Sequence, residues 1–223
     1  MQKPCMLSEA QTLKQRGFDV VIGYVEPHRR PETQALVVGL EQVPLKKYLI
    51  GNIEYYEMDV EAIINRNPQI VLVDELAHSN ARGSKHEKRY MDVIDILNSQ
   101  INVITTLNVQ HLESVADRVA SATKASVQER IPDKILQIAH QIVMSDISME
   151  DLRERLRLGK IYDKDKIDND LINFFTYPNL SFLREICLRE AAGHHFPKIH
   201  VDNLGEYKIF SEEAVMVALS SDP

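Results

Sequence analysis

Three times along this chain a short apolar or β-branched run gives way to a segment of helical period, and this alternation constrains the fold more than any other feature. Stacked βα units bury their strands on both faces, so they require a largely parallel sheet between helices. Strands are expected at "FDVVIGYV" (18–25), at 70–73 inside "IVLVDELAHSN", and at "NVITTLN" (102–108). Helices are expected from Leu7 to Gln15 with Gly17 closing them, over "PETQALVVGLEQ" (31–42), over 58–68 with Asp59 as N-cap, over 87–99 and over 111–123. The fold class is α/β.

From Asp133 onward the pattern becomes mostly helical. A short helix "DKILQIAHQ" and a strand-like "IVMSD" (142–146) lead into a helix capped by Ser148. Leu180, Leu183, Ile186 and Cys187 then recur at helical steps, the spacing of a face packed on an existing core. "GHHFPKIHVDNLG" (193–205) has no period and reads as a linker, with His194, His195 and His200 facing solvent. Beyond it "EAVMVALSSDP" reads as one more strand, opening a further domain. The division expected is 1–192, a linker 193–206, and 207–223 as the start of that domain.

With 44% hydrophobic residues the chain has the means for a real core, and its net charge of -7 disfavours a general nucleic-acid surface. The basic stretch Arg82–Arg89 (RGSKHEKR) reads as a solvated loop and helix start. The two cysteines are far apart and lack metal spacing, so a reducing, cytosolic setting is expected. The longest apolar runs, Ile70–Val73 and Ala214–Leu219, fall short of the ~20 residues that cross a bilayer.

The strand ending in Asp74 and Glu75 carries the functional signal. Ligands of open α/β sheets bind outside the carboxyl ends of the strands, and an apolar strand ending in Asp has the form of a Walker B segment, which holds the magnesium of a nucleotide. Thr105, Thr106 and Asn108 close the next strand, on the same expected rim. A strand closed by acids also arises where a polar loop simply begins. Both readings stand at this point.

The motifs "LSEAQTLKQRGFDVVIGYVE", "IVLVDELAHSN", "GSKHEKRYMDV", "VITTLNVQHLES", "RIPDKIL", "LRERLRLGKIY" and "NFFTYPNLSFLRE", in this order over about residues 6–192, closely resemble the cytoplasmic amino-terminal domain of the KdpD potassium sensor histidine kinases. The resemblance implies a P-loop-NTPase-like three-layer sandwich at the start of a membrane-bound sensor kinase. That kinase helps set the kinase-to-phosphatase balance toward its response regulator, KdpE, as potassium or turgor falls. It implies ATP and Mg2+ as cofactors, with Asp74, Glu75, Thr105, Thr106 and Asn108 at the nucleotide and Glu26, His28, Arg30, His78, Gln110 and His111 as further rim contacts. The partners implied are the membrane and kinase parts of the sensor, at the cytoplasmic face of the membrane. A universal-stress-protein-like domain follows in the family, and "AVMVALSSDP" resembles its first strand.

Two departures qualify the resemblance. The family opens with a strand and a GxxxxGK[ST] phosphate loop, whereas here only "MQKPC" precedes "MLSEAQTLK", and no GxxxxGK[ST] occurs. ATP binding is therefore expected to be impaired, and the sheet is expected to have an open place beside strand 70–73. The second departure is "EPHRRPET" (26–33), where the family reads close to ETHGRxET; Glu26, His28, Arg30, Glu32 and Thr33 still fit. No phosphoacceptor helix or kinase ATP lid is recognisable. Two alternatives remain: an interaction-only module, and a metal-dependent phosphohydrolase built from Asp74, Glu75, His78, His86 and His111, against which the lack of HxH or HExxH spacing counts.

Overall fold

The structure, a computed structural model, describes residues 2–26, 31–123, 127–159, 175–193 and 215–220. Six strands form one all-parallel sheet in the order β2-β1-β5-β6-β8-β7. They are β1 (Val20–Tyr24), β2 (Glu41–Gln42), β5 (Ile70–Val73), β6 (Asn102–Asn108), β7 (Gln141–Ser145) and β8 (Val215–Ser220). A separate antiparallel hairpin joins β3 (Lys46–Ile50) to β4 (Ile53–Glu57). The helices are α1 (Gln2–Gln15), α2 (Pro31–Val37), α3 (Val60–Arg66), α4 (Arg89–Asn98), α5 (Glu113–Thr123), α6 (Lys134–Gln137), α7 (Met149–Arg157) and α8 (Tyr177–Gly193).

Strand alternation divides the core between the two faces of the sheet. On one face Val20, Ile22, Ile70, Leu72 and Ile104 meet Met6, Leu7 and Ala10 of α1. On the other, Val21, Val71, Val73 and Val103 meet α3, α4, α5 and α8 through Ile63, Ile96, Val115 and Leu183. Gly23 shows how close the second layer lies. A Cβ there would stand 2.8 Å from both Ile63 Cδ1 and Val71 Cγ2, so only glycine lets α3 rest on β1 at this depth.

Several expected elements appear where the sequence puts them. Strand 70–73 and strand 102–108 match residue for residue. Asp59 caps α3, accepting the Ala62 N–H at 3.0 Å, and Ser148 caps α7, accepting the Asp151 N–H at 3.0 Å. The helix expected over 31–42 is shorter, because the chain reverses at Gly39 (φ 86°) and pairs Glu41 and Gln42 with β1. The sequence reading assigns no element to residues 46–57, where the hairpin forms.

The open place expected beside strand 70–73 is not found: β5 has β1 on one side and β6 on the other. Val215–Ser220, expected to open a further domain, lies inside this sheet, pairing with β6 over Val103–Asn108 and with β7 over Gln141–Ser145. Both neighbouring ladders thereby find partners for their backbone N–H and C=O groups. The linker expected over 193–206 lies, Gly193 apart, outside the described residues.

Candidate functional site

β5 and β6 run in register, with Val73 opposite Thr105, so the residues that follow, Asp74 and Thr106, come side by side on the α1 face. Thr106 Oγ1 donates to Asp74 Oδ1 at 2.5 Å and accepts the Glu75 N–H at 3.0 Å. Glu75 takes a left-handed backbone (φ 56°), a conformation that disfavours a side chain and costs on the order of 1 kcal/mol. The Thr106 bond and that of Leu76 N–H to Thr106 O (3.0 Å) hold it there. One threonine thus orients both members of the acidic pair.

Asp74 is fully buried, and α1 supplies its counter-charge. Lys3 Nζ stands 2.9 Å from Asp74 Oδ2, 3.1 Å from Glu75 Oε1 and 3.1 Å from the Glu26 carbonyl oxygen. The contact to Oδ2 is one of charge rather than a well-aligned hydrogen bond, and Oδ2 has no hydrogen-bond partner among the described residues. Burial pushes the Asp74 carboxyl up and the Lys3 charge pulls it down; burial prevails, so it lies above the ordinary carboxylate range. On the same turn of α1, Gln2 Nε2 donates to Leu107 O at 2.7 Å. The first turn of α1 is therefore fastened across the ends of both strands.

Behind the acidic turn lies a second buried ion pair. Arg89, the first residue of α4, is fully buried; its Nη1 donates to Asp74 O at 3.0 Å and its Nη2 to Glu57 Oε2 at 3.2 Å. Its guanidinium carbon lies 3.7 Å from the centroid of the Tyr24 ring, a cation–π contact. Glu57 also accepts the Ala81 N–H at 2.7 Å and has His78 Nε2 at 3.3 Å. Burial works to raise the Glu57 carboxyl, but the His78 and Ala81 hydrogen bonds and the His78 and Arg89 charges outweigh it and hold it below its ordinary value. Arg89 therefore links the hairpin, through Glu57, to the acidic turn.

The remaining expected residues divide into several places. Thr105 is buried on the opposite face, its hydroxyl without a hydrogen-bond partner among the described residues. Asn108 opens the 3-10 turn Val109–His111, which carries Gln110 along the end of β6. His111 Nδ1 lies 2.9 Å from Glu129 O, His86 Nε2 lies 2.8 Å from Asp95 Oδ2, and His78 stacks on Tyr24. The histidines thus point to three different partners. Among the described residues no three His, Cys, Asp or Glu side chains gather where they could hold a metal ion. Glu26 contributes its carbonyl to Lys3; His28 and Arg30 lie outside the described residues.

The sequence reading missed Lys3, Glu57 and Arg89. Arg89 belongs to a stretch read as solvated, and its burial corrects that reading at its last residue. A basic residue at the first turn of a helix after a polar loop looks the same in sequence whether it faces water or the core. Lys3 gave no signal beyond its place just before the apolar period of α1.

The donors at the rim fit one part of a magnesium nucleotide and not another. Asp74, Glu75 and the Glu26 carbonyl are hard oxygens of the kind Mg2+ takes, and a cationic group already sits among them in the form of Lys3. Among the described residues no glycine-rich phosphate cradle accompanies them. The side of the rim facing α1 is filled by Gln2 and Lys3, both bonded to protein oxygens.

Residues 3–194 match the family KdpD, described as the osmosensitive K+ channel His kinase sensor domain. Among curated relatives, the chain is 51% identical over 189 residues to a putative sensor protein KdpD of Synechocystis sp., covering 85% of this chain and 51% of that protein. It is 40% identical over 221 residues to the sensor protein KdpD of Clostridium acetobutylicum (98% of this chain, 25% of that one). It is 43% identical over 187 residues to the sensor protein KdpD of Escherichia coli (84% and 21%). The chain thus spans from about half to about a fifth of the length of these relatives. Matched by the family over most of its length and by relatives across the same strands, helices and acidic turn, the chain belongs to the KdpD family of sensor proteins.

Proposed function

We propose that this chain is the regulatory, cytoplasmic sensor portion of a KdpD-type two-component histidine kinase controlling potassium-uptake genes, with residues 1–192 as the sensor unit and nucleotide binding weakened. Its partners are then the membrane and kinase parts of such a sensor, and the response regulator KdpE through the kinase part, which also carries the phosphotransfer chemistry. The observation that supports this reading is the family match over residues 3–194, which contains the acidic turn and its Lys3 clasp. The weakened affinity follows from that clasp, since Lys3 occupies the oxygens that the magnesium of a nucleotide would take.

Calorimetric titration of the chain with Mg-ATP tests the nucleotide part. No saturable heat at micromolar ATP is expected, and micromolar affinity would overturn it. A full-length KdpD sensor in which this chain replaces the corresponding segment tests the sensor part. A potassium-dependent reporter should respond with a changed threshold, and a reporter indifferent to the exchange would count against it.

The interaction-only reading has one observation in its favour. The hairpin β3–β4 exposes Leu49 (68%), Ile53 (60%) and Tyr56 (50%), neighbouring apolar side chains of the kind that mark interaction surfaces. It predicts that changes at these side chains alter the reporter while leaving the calorimetry unchanged.

A further inference from the structure

The acidic turn already contains a cation, and it belongs to the chain. Lys3 Nζ lies within 3.1 Å of three oxygens from two separate segments, Glu26 after β1 and Asp74 with Glu75 after β5. Gln2 fixes the same helical turn to Leu107 O, so the ammonium is positioned by the fold rather than reaching in from solvent. Its side chain is 16% exposed, and that of Asp74 is not exposed at all. Asp74 Oδ2, aimed at Lys3, has no hydrogen-bond partner among the described residues.

We propose that Lys3 is a built-in counter-cation. Its ammonium holds the place at the Asp74–Glu75 turn that a divalent ion would take, so the seated first turn of α1 and a bound divalent ion exclude one another. The inference rests on the reading of this turn as the family's cation-binding rim. Two cationic groups cannot share these oxygens, because at ~3 Å their mutual repulsion is large in a site with little water. An ion must therefore either find Lys3 withdrawn or remain in solution. Removing the charge leaves the buried Asp74 carboxylate beside that of Glu75 with only the Arg89 guanidinium, 4.0 Å from Glu75 Oε2 and bonded to the Asp74 carbonyl, as counter-charge; two carboxylates so under-compensated favour a hard divalent ion.

The test uses Mn2+ alone, with its free concentration read by electron paramagnetic resonance, on the whole chain and on Lys3→Met. The unaltered chain should leave Mn2+ free where Lys3→Met binds it more tightly by about tenfold or more. The double variant Lys3→Met/Asp74→Asn should lose the gain. Equal Mn2+ affinity in the chain and in a folded Lys3→Met would overturn the proposal and leave a purely structural ion pair. So would a gain that survives Asp74→Asn. If Lys3→Met does not fold, Lys3→Gln replaces it, keeping an N–H donor without the charge; failure of both to refold on adding Mn2+ also counts against the proposal. Because no nucleotide is present, this metal-only test is read separately from the calorimetry, where micromolar ATP affinity would overturn the weakened-nucleotide reading.

Discussion

Charged clusters close the sheet at both ends, and they are built in opposite ways. At the amino ends of the strands Arg66 makes two-pronged bonds to Asp19 (2.9 and 2.9 Å) and to Glu41 (2.9 and 2.8 Å), all with exposed or half-exposed partners. At the carboxyl ends Arg89 and Lys3 each make fewer and less regular contacts, with one Arg89 nitrogen lacking a partner among the described residues, yet Arg89 and Asp74 are fully buried. By the regularity of its bonds the first cluster is the stronger. By burial the second is, because a charge inside the protein that loses its partner has no water to replace it. The cluster that resembles a site is the one whose disruption the fold tolerates least.

Four measurements probe this contrast, ordered by expected effect. Arg89→Met should destabilise most, by about 3–5 kcal/mol, because the buried Glu57 loses its guanidinium and keeps only the Ala81 and His78 contacts. The denaturant midpoint reads this, and Arg89→Met/Glu57→Gln should recover part of the loss. A midpoint unchanged by Arg89→Met would remove burial as the deciding factor. Thr106→Val comes next, at about 1.5–3 kcal/mol, since it deletes the hydroxyl that donates to a buried carboxylate.

Stability against pH should show two opposing slopes, each of at most about 1.4 kcal/mol per pH unit. Glu57, held below its ordinary 4.5, supports folding above that pH, and its support is lost as the pH falls through the lower folded value. Asp74, held above its ordinary 3.8, acts in the opposite sense: the folded state binds its proton more readily, so its favourable contribution is lost as the pH rises through the raised value. Glu57→Gln should flatten the acid limb, and Asp74→Asn the decline at higher pH. The smallest effect belongs to Arg66→Ala, which should leave the thermal midpoint within error despite deleting two doubly bonded ion pairs. A clear drop would break the comparison from its other side.

The backbone of the site was legible in the sequence, and its wiring was not. β5 and β6 read correctly because four and five successive apolar or β-branched residues leave few alternatives, and their parallel register then makes Asp74 and Thr106 neighbours. What escaped is everything that depends on which elements meet. Lys3 approaches the turn only because α1 lies across it, and Glu57 reaches Arg89 only because the end of β4 meets the start of α4. The hairpin escaped because Ile53–Tyr56 are exposed on both sides, so no period-2 alternation marks them.

The place of β8 between β6 and β7 has a consequence for the order of assembly. It is the last of the six strands along the chain but one of the inner ones in the sheet, so its two ladders are closed by the most sequence-distant pairings. Pairings of that kind form late, after nearer contacts have compensated for their loop entropy. During synthesis β6 and β7 leave the ribosome with facing edges unfilled, and both edges stay available to any parallel strand, including β8 of another copy. The slowest step in folding is then an insertion, and the route to a swapped dimer shares it.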